Sequence, residues 1–145
     1  MRVLAQRVIR GGVSIEGKEV ASIGPGLVLL IGVAKGDTEA AAQKLARKTA
    51  ALRIFADAAG KLNLSLKDMD GQALAVSQFT LYADTSRGNR PGFDPAAEPE
   101  LAESLYECFV RALKEQGVPV QTGVFQAHML VSIENDGPVT VLLES

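Results

Sequence analysis

The sequence is short of the residues on which many common active sites depend. Its 145 residues contain one cysteine, Cys108, one histidine, His128, and no tryptophan. A single cysteine excludes an intrachain disulfide and a Cys-x-x-Cys motif, and a single histidine excludes a histidine-rich metal site. No metal site is therefore predicted. We interpret Cys108, on the apolar stripe of a predicted helix, as a core residue and His128 as a structural or surface residue.

Long apolar runs and targeting segments are also lacking. The longest apolar run, Leu27 to Val33, is far shorter than the roughly 20 residues that a transmembrane helix needs. Charges at Arg2, Arg7 and Arg10 leave no room between them for the apolar centre of a signal peptide. These absences, with the single cysteine, predict a cytoplasmic location.

An excess of basic residues is missing as well, since the net charge is −2. Proteins that bind long stretches of nucleic acid usually carry a basic excess or a basic face. The best local candidates for phosphate contacts are Arg87 and Arg90, in the aperiodic stretch Asp84 to Ala97. The plain interpretation of these arginines is a solvated loop, although long loops in small domains are often functional.

Periodicity predicts a single α+β domain over residues 1–145, with two main helices and antiparallel, barrel-like sheets. The helices are expected from about Thr38 to Leu52 and from Glu98 to about Gly117, because apolar residues recur there at helical spacing. Short turns joining alternating or apolar runs predict the strands. The main ones are Met1–Arg10, Val13–Ile15, Val20–Ile23, Leu27–Val33, Ala73–Tyr82, Pro119–Phe125, Met129–Ile133 and Val139–Leu143.

Two stretches stand out as candidate chemistry. In the first, an apolar run changes abruptly into Ser77-Gln78-Phe79-Thr80, although a core strand has no need of such polarity. A Ser or Thr nucleophile needs an adjacent base, and none is visible nearby. The more economical hypothesis is that the backbone N–H groups of Phe79 and Thr80 form an oxyanion hole. The plain alternative places Ser77 and Thr80 on the solvent face of a strand.

The second stretch is Asn135-Asp136-Gly137-Pro138-Val139-Thr140. Proline fixes its own φ, and X-Pro is the peptide bond with a realistic cis option. Local sequence alone favours a trans turn before a last strand.

Together these stretches resemble the signature motifs of the D-aminoacyl-tRNA deacylase (D-tyrosyl-tRNA deacylase) family. The resemblance rests on Ser77–Thr80 and Asn135–Thr140, in that order. It extends to Arg2–Val8, Ser22–Leu27 and Gly60–Leu64, and so over almost the whole chain.

The resemblance implies a homodimer that hydrolyses the ester between a D-amino acid and tRNA, without metal or organic cofactor. It implies catalytic roles for Ser77, Gln78, Phe79 and Thr80. Gly137-Pro138 would be cis, with carbonyl groups that enter the partner subunit's site and exclude L-amino acids. Glycyl-tRNA would then be cleaved too.

The resemblance also points to residues that surround the substrate. Arg7 would help to hold the Gly137-Pro138 loop, and Phe125, Ala127 and Met129 would line the pocket. Gln126 departs from the small residue expected at its position, which affects the predicted shape of the pocket. Two alternatives stay open: an esterase with Thr80 or Ser77 as covalent nucleophile, and a non-enzymatic module that binds tRNA or a small ligand.

Overall fold

The computed structural model describes residues 1–145 as two helices and eight strands. The helices are α1 (Glu39–Ala50) and α2 (Pro99–Glu115), and a short 3₁₀ helix spans Phe79–Tyr82. The strands are β1 (Arg2–Ile15), β2 (Lys18–Ile23), β3 (Gly26–Gly32), β4 (Phe55–Ala56), β5 (Leu62–Leu64), β6 (Gln72–Ser77), β7 (Val120–Thr122) and β8 (Leu130–Glu144). No helix is both long and apolar enough to cross a membrane.

The main sheet is mixed, so the expectation of antiparallel sheets is wrong for two of its five strand pairings. Its order is β2-β1-β3-β6-β7, and β8 pairs with β1. β1 runs antiparallel to β2, β3 and β8, whereas β6 runs parallel to both β3 and β7. Parallel pairing needs a long crossover, and the segment containing α1 provides it. The mixed sheet and the two helices form a nearly closed, barrel-like single domain.

β6 has the burial that parallel strands require on both faces. Ala73 and Ala75 belong to the larger core beneath the helices, while Leu74 and Val76 belong to a smaller core within the curled sheet. Sequence patterns could not show whether β6 runs parallel or antiparallel to its neighbours, because a run of apolar residues fits either kind of pairing.

Both helices form where their apolar spacing predicts. α1 is capped by Thr38, whose hydroxyl accepts a hydrogen bond from the Ala41 N–H at 3.3 Å. α2 begins with Pro99 in its first turn. Proline is tolerated there because an N–H at that position would have no acceptor within the helix. Cys108 is buried in the larger core, as predicted.

Several strand boundaries differ from the prediction, including that of β7, which covers only Val120–Thr122 of the predicted Pro119–Phe125. β1 continues through Gly11, where a Cβ would meet Val28 Cγ2 at 2.6 Å, so this glycine permits close packing rather than a break. β6 ends at Ser77 instead of Tyr82. The two predicted terminal strands are one strand, β8, with the Gly137-Pro138 pair inside it.

Candidate active site

The predicted catalytic segment lies where β6 ends and the 3₁₀ helix begins. The Gln78 N–H donates to the Ile31 carbonyl at 2.7 Å and closes the β3–β6 pairing. Leu81 N–H then donates to the Gln78 carbonyl at 3.2 Å. Because a helix has no internal acceptors for its first N–H groups, those of Phe79 and Thr80 lack partners within the helix. We call Ser77–Tyr82 the strand end.

A groove of about 720 Å³ opens beside the strand end. Its walls are the strand end, the loop before α2, the first residues of α2 and the segment before β8. Phe79 is exposed, and its ring meets the Phe93 ring edge-on at a centroid distance of 4.9 Å. The main lining residues are Lys35, Val76, Ser77, Gln78, Phe79, Phe93, Asp94, Ala97, Glu98, Phe125, Gln126, Ala127, His128 and Met129.

The segment before β8 is a folded turn that supplies one wall of this groove. The Ala127 N–H donates to the Val124 carbonyl at 3.2 Å, and Gln126 has a positive φ of 61°. The Val124 N–H reaches the Met129 sulfur at 3.4 Å. The turn therefore brings together the three predicted pocket residues, Phe125, Ala127 and Met129.

Acid–base groups are sparse around the hydroxyls of the strand end. The Thr80 hydroxyl accepts a hydrogen bond from the Gln78 amide, and no carboxylate or imidazole bonds to Ser77 or Thr80. Burial, with the nearby Asp37 charge, raises the pKa of Tyr82 to about 12, so its phenol is no base near neutral pH. No cluster of three or more potential metal ligands is present.

The Gly137-Pro138 pair forms a bend in β8 opposite Arg7. Gln6 pairs with Thr140 and Val8 pairs with Asn135, so the single residue Arg7 faces the four residues 136–139. The Gly137–Pro138 peptide is cis, and Gly137 has φ +115°. Asp136, Gly137 and Pro138 are exposed. We call residues 136–139 the bend.

Side chains hold the bend at both of its ends. The Asn135 amide donates to the Arg7 carbonyl at 2.8 Å and to the Val139 carbonyl at 3.0 Å. Arg7 Nε lies 3.1 Å from the Asp136 carboxylate, and Nη1 donates to the Ile54 carbonyl at 2.8 Å. The Arg7 side chain is only 12% exposed, so its position is fixed on several sides.

Within one chain the bend and the groove are separate. Ser77 pairs with Ile31, and Ile31 pairs with Val3, whereas the bend faces Arg7. At about 3.3 Å per residue and 4.8 Å per strand, the bend is displaced by roughly 13 Å along the sheet and 14 Å across it. Six predicted residues line the groove, Thr80 adjoins it, and Arg7, Gly137 and Pro138 lie apart.

Several groove residues were missed in the sequence. Lys35 and Phe93 carried no motif, although Phe93 lies in the long loop that was singled out. His128, predicted to be structural or at the surface, is exposed and lines the groove together with Gln126. Gln126 and His128 alternate with the predicted pocket residues Phe125, Ala127 and Met129, and this position in the sequence could have identified them as groove residues.

A second groove, of about 800 Å³, lies between α2 and β7. It shares Phe125 with the first groove but contains none of the residues Ser77 to Thr80. Charged side chains of α2 line much of it. We therefore place the candidate active site in the first groove, where the strand end lies.

Comparison with known proteins identifies close relatives along the full length. The family model for D-Tyr-tRNA(Tyr) deacylase matches residues 4–144. D-aminoacyl-tRNA deacylases from Thermomicrobium roseum and Symbiobacterium thermophilum are 56% and 54% identical over 145 residues, which are 100% of this chain and 94% and 96% of theirs.

Two solved structures share the fold. One, a c-Myc DNA unwinding element binding protein, is 38% identical with a TM-score of 0.93 and covers 100% of this chain and 99% of its own. A probable eukaryotic D-amino acid tRNA deacylase is 18% identical with a TM-score of 0.86, covering 99% and 98%. This second likeness supports the fold alone.

Proposed function

The chain belongs to the D-Tyr-tRNA(Tyr) deacylase family, a family of hydrolases that act on ester bonds, and we propose that residues 1–145 form one deacylase domain that cleaves D-aminoacyl-tRNA. Water adds to the ester carbonyl carbon, and the bond from that carbon to the ribose oxygen breaks. The ribose oxygen takes a proton, which gives free tRNA and a D-amino acid. Cleavage of glycyl-tRNA and a cytoplasmic location are parts of the same proposal.

The observation that carries this proposal is the start of the 3₁₀ helix beside the groove. The Phe79 and Thr80 N–H groups have no acceptor inside the helix, so they can donate to a developing oxyanion. Such preorganised donors stabilise the transition state of acyl transfer by about 3 kcal/mol each. Gln78 and Ser77 line the same groove and would orient the ester. The ribose 2′-hydroxyl would assist the attacking water.

The groove has a suitable size and character for the end of a charged tRNA. Its volume of about 720 Å³ lies within the range of roughly 300–1,000 Å³ that is typical of small-ligand pockets. The Phe79 and Phe93 rings offer a face on which a terminal base can stack. Arg87 and Arg90 are exposed on the neighbouring loop and are our candidates for phosphate contacts. Because the net charge of the chain is −2, we expect such contacts only at a local basic patch.

Selection of the D-amino acid is proposed to need a second copy of the chain. The bend is exposed, firmly held, and too far along the sheet to reach its own groove. β8 pairs only with β1, so its other edge is free to pair or pack, and Leu130 and Leu142 are exposed along it. In a homodimer, the partner's bend would approach the groove and exclude an L side chain by steric contact with main chain.

The decisive experiment is deacylation of D-Tyr-tRNA and L-Tyr-tRNA measured side by side. We expect cleavage of the D ester and survival of the L ester, and cleavage of glycyl-tRNA as well. Equal cleavage of both tyrosyl esters would contradict chiral selection. Binding of charged and uncharged tRNA without turnover would favour a non-enzymatic module. One structural relative is named as a protein that binds a DNA element, so DNA binding would be measured with the same protein.

A covalent Thr80 or Ser77 mechanism predicts a different mutational result. Because no base contacts Thr80, we expect Thr80→Ala to keep activity within about tenfold of wild type, as the backbone donors remain. A covalent nucleophile would instead lose nearly all activity. Single-turnover rates of Thr80→Ala, with Thr80→Ser as the matched control, separate the two mechanisms.

A further inference from the structure

The 3₁₀ helix is pressed against the end of β3 at a single glycine. A Cβ added at Gly32 would lie 3.1 Å from the Gln78 carbonyl oxygen, 3.1 Å from Leu81 Cβ and 3.2 Å from Tyr82 Cδ2. All three atoms belong to the short stretch that carries Phe79 and Thr80. Gly32 therefore allows this helix to lie a few tenths of an ångström closer than a residue with a Cβ would favour.

The pairing partner of Gly32 on β1 is Arg2, and the Arg2 guanidinium contacts the same end of the helix, at Leu81 and Tyr82. Arg2 Nη1 donates to the Leu81 carbonyl at 2.8 Å. The guanidinium carbon lies 4.6 Å from the centre of the Tyr82 ring. Nε donates to the Glu144 carboxylate at 2.7 Å, which fixes the plane of the guanidinium over that ring.

These contacts have a geometry that lysine cannot reproduce. One planar guanidinium lies over an aromatic ring while its N–H groups donate to a carbonyl and a carboxylate. Arg2 reaches the helix from β1, and Glu144 of β8 supports Arg2; neither strand takes part in the β3–β6 pairing at Ser77. These contacts fix where the helix lies without entering the groove, because Arg2 is not among the groove residues.

We propose that Arg2 is a positioning residue for ester hydrolysis, acting through the Leu81 carbonyl and the Tyr82 ring to aim the Phe79 and Thr80 N–H groups at the reacting carbonyl. This inference rests on the proposed function of the strand end. A displacement of about 1 Å at a reacting centre can cost on the order of 100-fold in rate, so a small shift of the helix has a measurable effect.

The test compares Arg2→Met, Arg2→Lys and Glu144→Gln in single-turnover hydrolysis of D-Tyr-tRNA. Arg2→Met is expected to lower the maximal rate by about 10- to 100-fold, with the half-saturating enzyme concentration changed by less than about threefold. Arg2→Lys should restore little of the rate, because the ring and the carbonyl need the planar group. Glu144→Gln keeps an acceptor for Nε and should stay within about twofold of wild type.

Amide signals provide a readout that does not depend on turnover. In ¹⁵N–¹H spectra, Arg2→Met and Gly32→Ala should both shift the Phe79 and Thr80 signals and leave those of α1 in place. If Arg2→Met folds poorly, Arg2→Lys gives the same readout for Arg2, and Gly32→Ala shows the effect of crowding the Leu81 and Tyr82 atoms without altering Arg2. A second substitution, Tyr82→Leu, should add little to the rate loss of Arg2→Met, since both act on one contact.

Each outcome decides for or against the proposal. It is overturned by an Arg2→Met rate within twofold of wild type, by an equal loss in Glu144→Gln, or by Phe79 and Thr80 signals that do not move. Wild-type protein that cleaves no D-aminoacyl ester would end the proposed function instead. In that case the amide signals alone would still decide whether Arg2 sets the position of the helix.

Discussion

The strand end and the bend are both irregular main chain within a regular sheet, yet they are anchored differently. The strand end is held by backbone pairing at Gln78, by packing against Gly32 and by the Arg2 guanidinium at Leu81, and its Ser77 and Gln78 side chains line the groove. The bend is held by side chains, Arg7 and Asn135, and its main chain is left exposed. One segment therefore presents backbone donors beside a groove, and the other presents a fixed backbone shape.

This contrast suggests a division of labour that mutations can separate. Changes at the strand end should alter the rate for any ester that enters the groove, because the oxyanion forms from either hand of amino acid. Changes at the bend should alter the ratio of D to L hydrolysis, because the proposed function assigns the exclusion of L side chains to the bend. The predictions below test whether rate and selectivity divide in this way.

The largest effect is expected from Gly137→Ala. An alanine Cβ would lie 2.9 Å from Arg7 Nη2 and 3.0 Å from Val139 Cγ2, at a φ of +115° that L residues rarely adopt. The positive φ strains an alanine there whatever the space, and the Arg7 side chain that supports the bend must also shift. A shift of about 1 Å in the bend would lower the D to L rate ratio by about 100-fold, which is the effect we expect. The ratio is measured with D-Tyr-tRNA and L-Tyr-tRNA under matched conditions.

Gly117→Ala is the matched control for this change. Gly117 also has a positive φ, +84°, but a Cβ there meets nothing within 4 Å. It should lose some stability from the strained backbone and keep the wild-type D to L ratio. An unchanged ratio in Gly137→Ala would mean that the bend does not select the hand of the amino acid.

Asn135→Asp should have the next largest effect. The substitution preserves shape but removes the amide that donates to the Arg7 and Val139 carbonyls. Leaving these partly buried acceptors unpaired is expected to lower the free energy of unfolding by about 1–3 kcal/mol. Urea denaturation measures this loss, and the D to L ratio should fall by roughly tenfold, equivalent to about 1.4 kcal/mol.

Thr140→Val serves as the comparison for Asn135→Asp. The Thr140 hydroxyl bonds to Asn135 and accepts from Gln6, but it does not bridge the two ends of the bend. We expect it to cost less than about 1 kcal/mol with little change in selectivity. If Thr140→Val lowers the stability and the D to L ratio as much as Asn135→Asp does, the two hydrogen bonds of the Asn135 amide are not what holds the bend.

The sequence predicted the two segments better than it predicted the sheet that carries them. The helices followed from spacing and from local signals such as Thr38 and Pro99. The end of β6 at Ser77 was missed because Phe79 and Leu81 continue an alternating pattern, while the turn into the 3₁₀ helix depends on space left by Gly32, distant in sequence.

The relation between the strand end and the bend was beyond sequence reasoning for a similar reason. Strand direction and register depend on long-range pairing, and a buried apolar run fits either a parallel or an antiparallel neighbour. The four-residue bend opposite Arg7 became evident only once β1 and β8 were aligned. The motifs identified the segments, and their separation of three strands came only from the fold.

A smaller effect is expected on the free energy of unfolding at high pH, and it concerns a contact beneath the strand end that the bend lacks. Beneath the strand end, the buried Tyr106 hydroxyl donates to the Ala75 carbonyl of β6 at 2.8 Å, and burial, with the Glu107 charge, raises the pKa of Tyr106 to about 12. In the unfolded chain tyrosine ionises near pH 10. The stability contributed by neutral Tyr106 is therefore complete below pH 10 and is lost as the pH rises through 12.

Between pH 10 and 11, this titration should cost wild type about 1 kcal/mol that Tyr106→Phe does not lose. At neutral pH the same variant gives up only a single hydrogen bond, about 1 kcal/mol. Urea denaturation at several pH values measures both quantities. Asn135→Asp, which alters the bend but not the support of β6, should keep the wild-type dependence on pH. If Tyr106→Phe follows the wild-type slope instead, burial of this phenol is not a source of stability for β6.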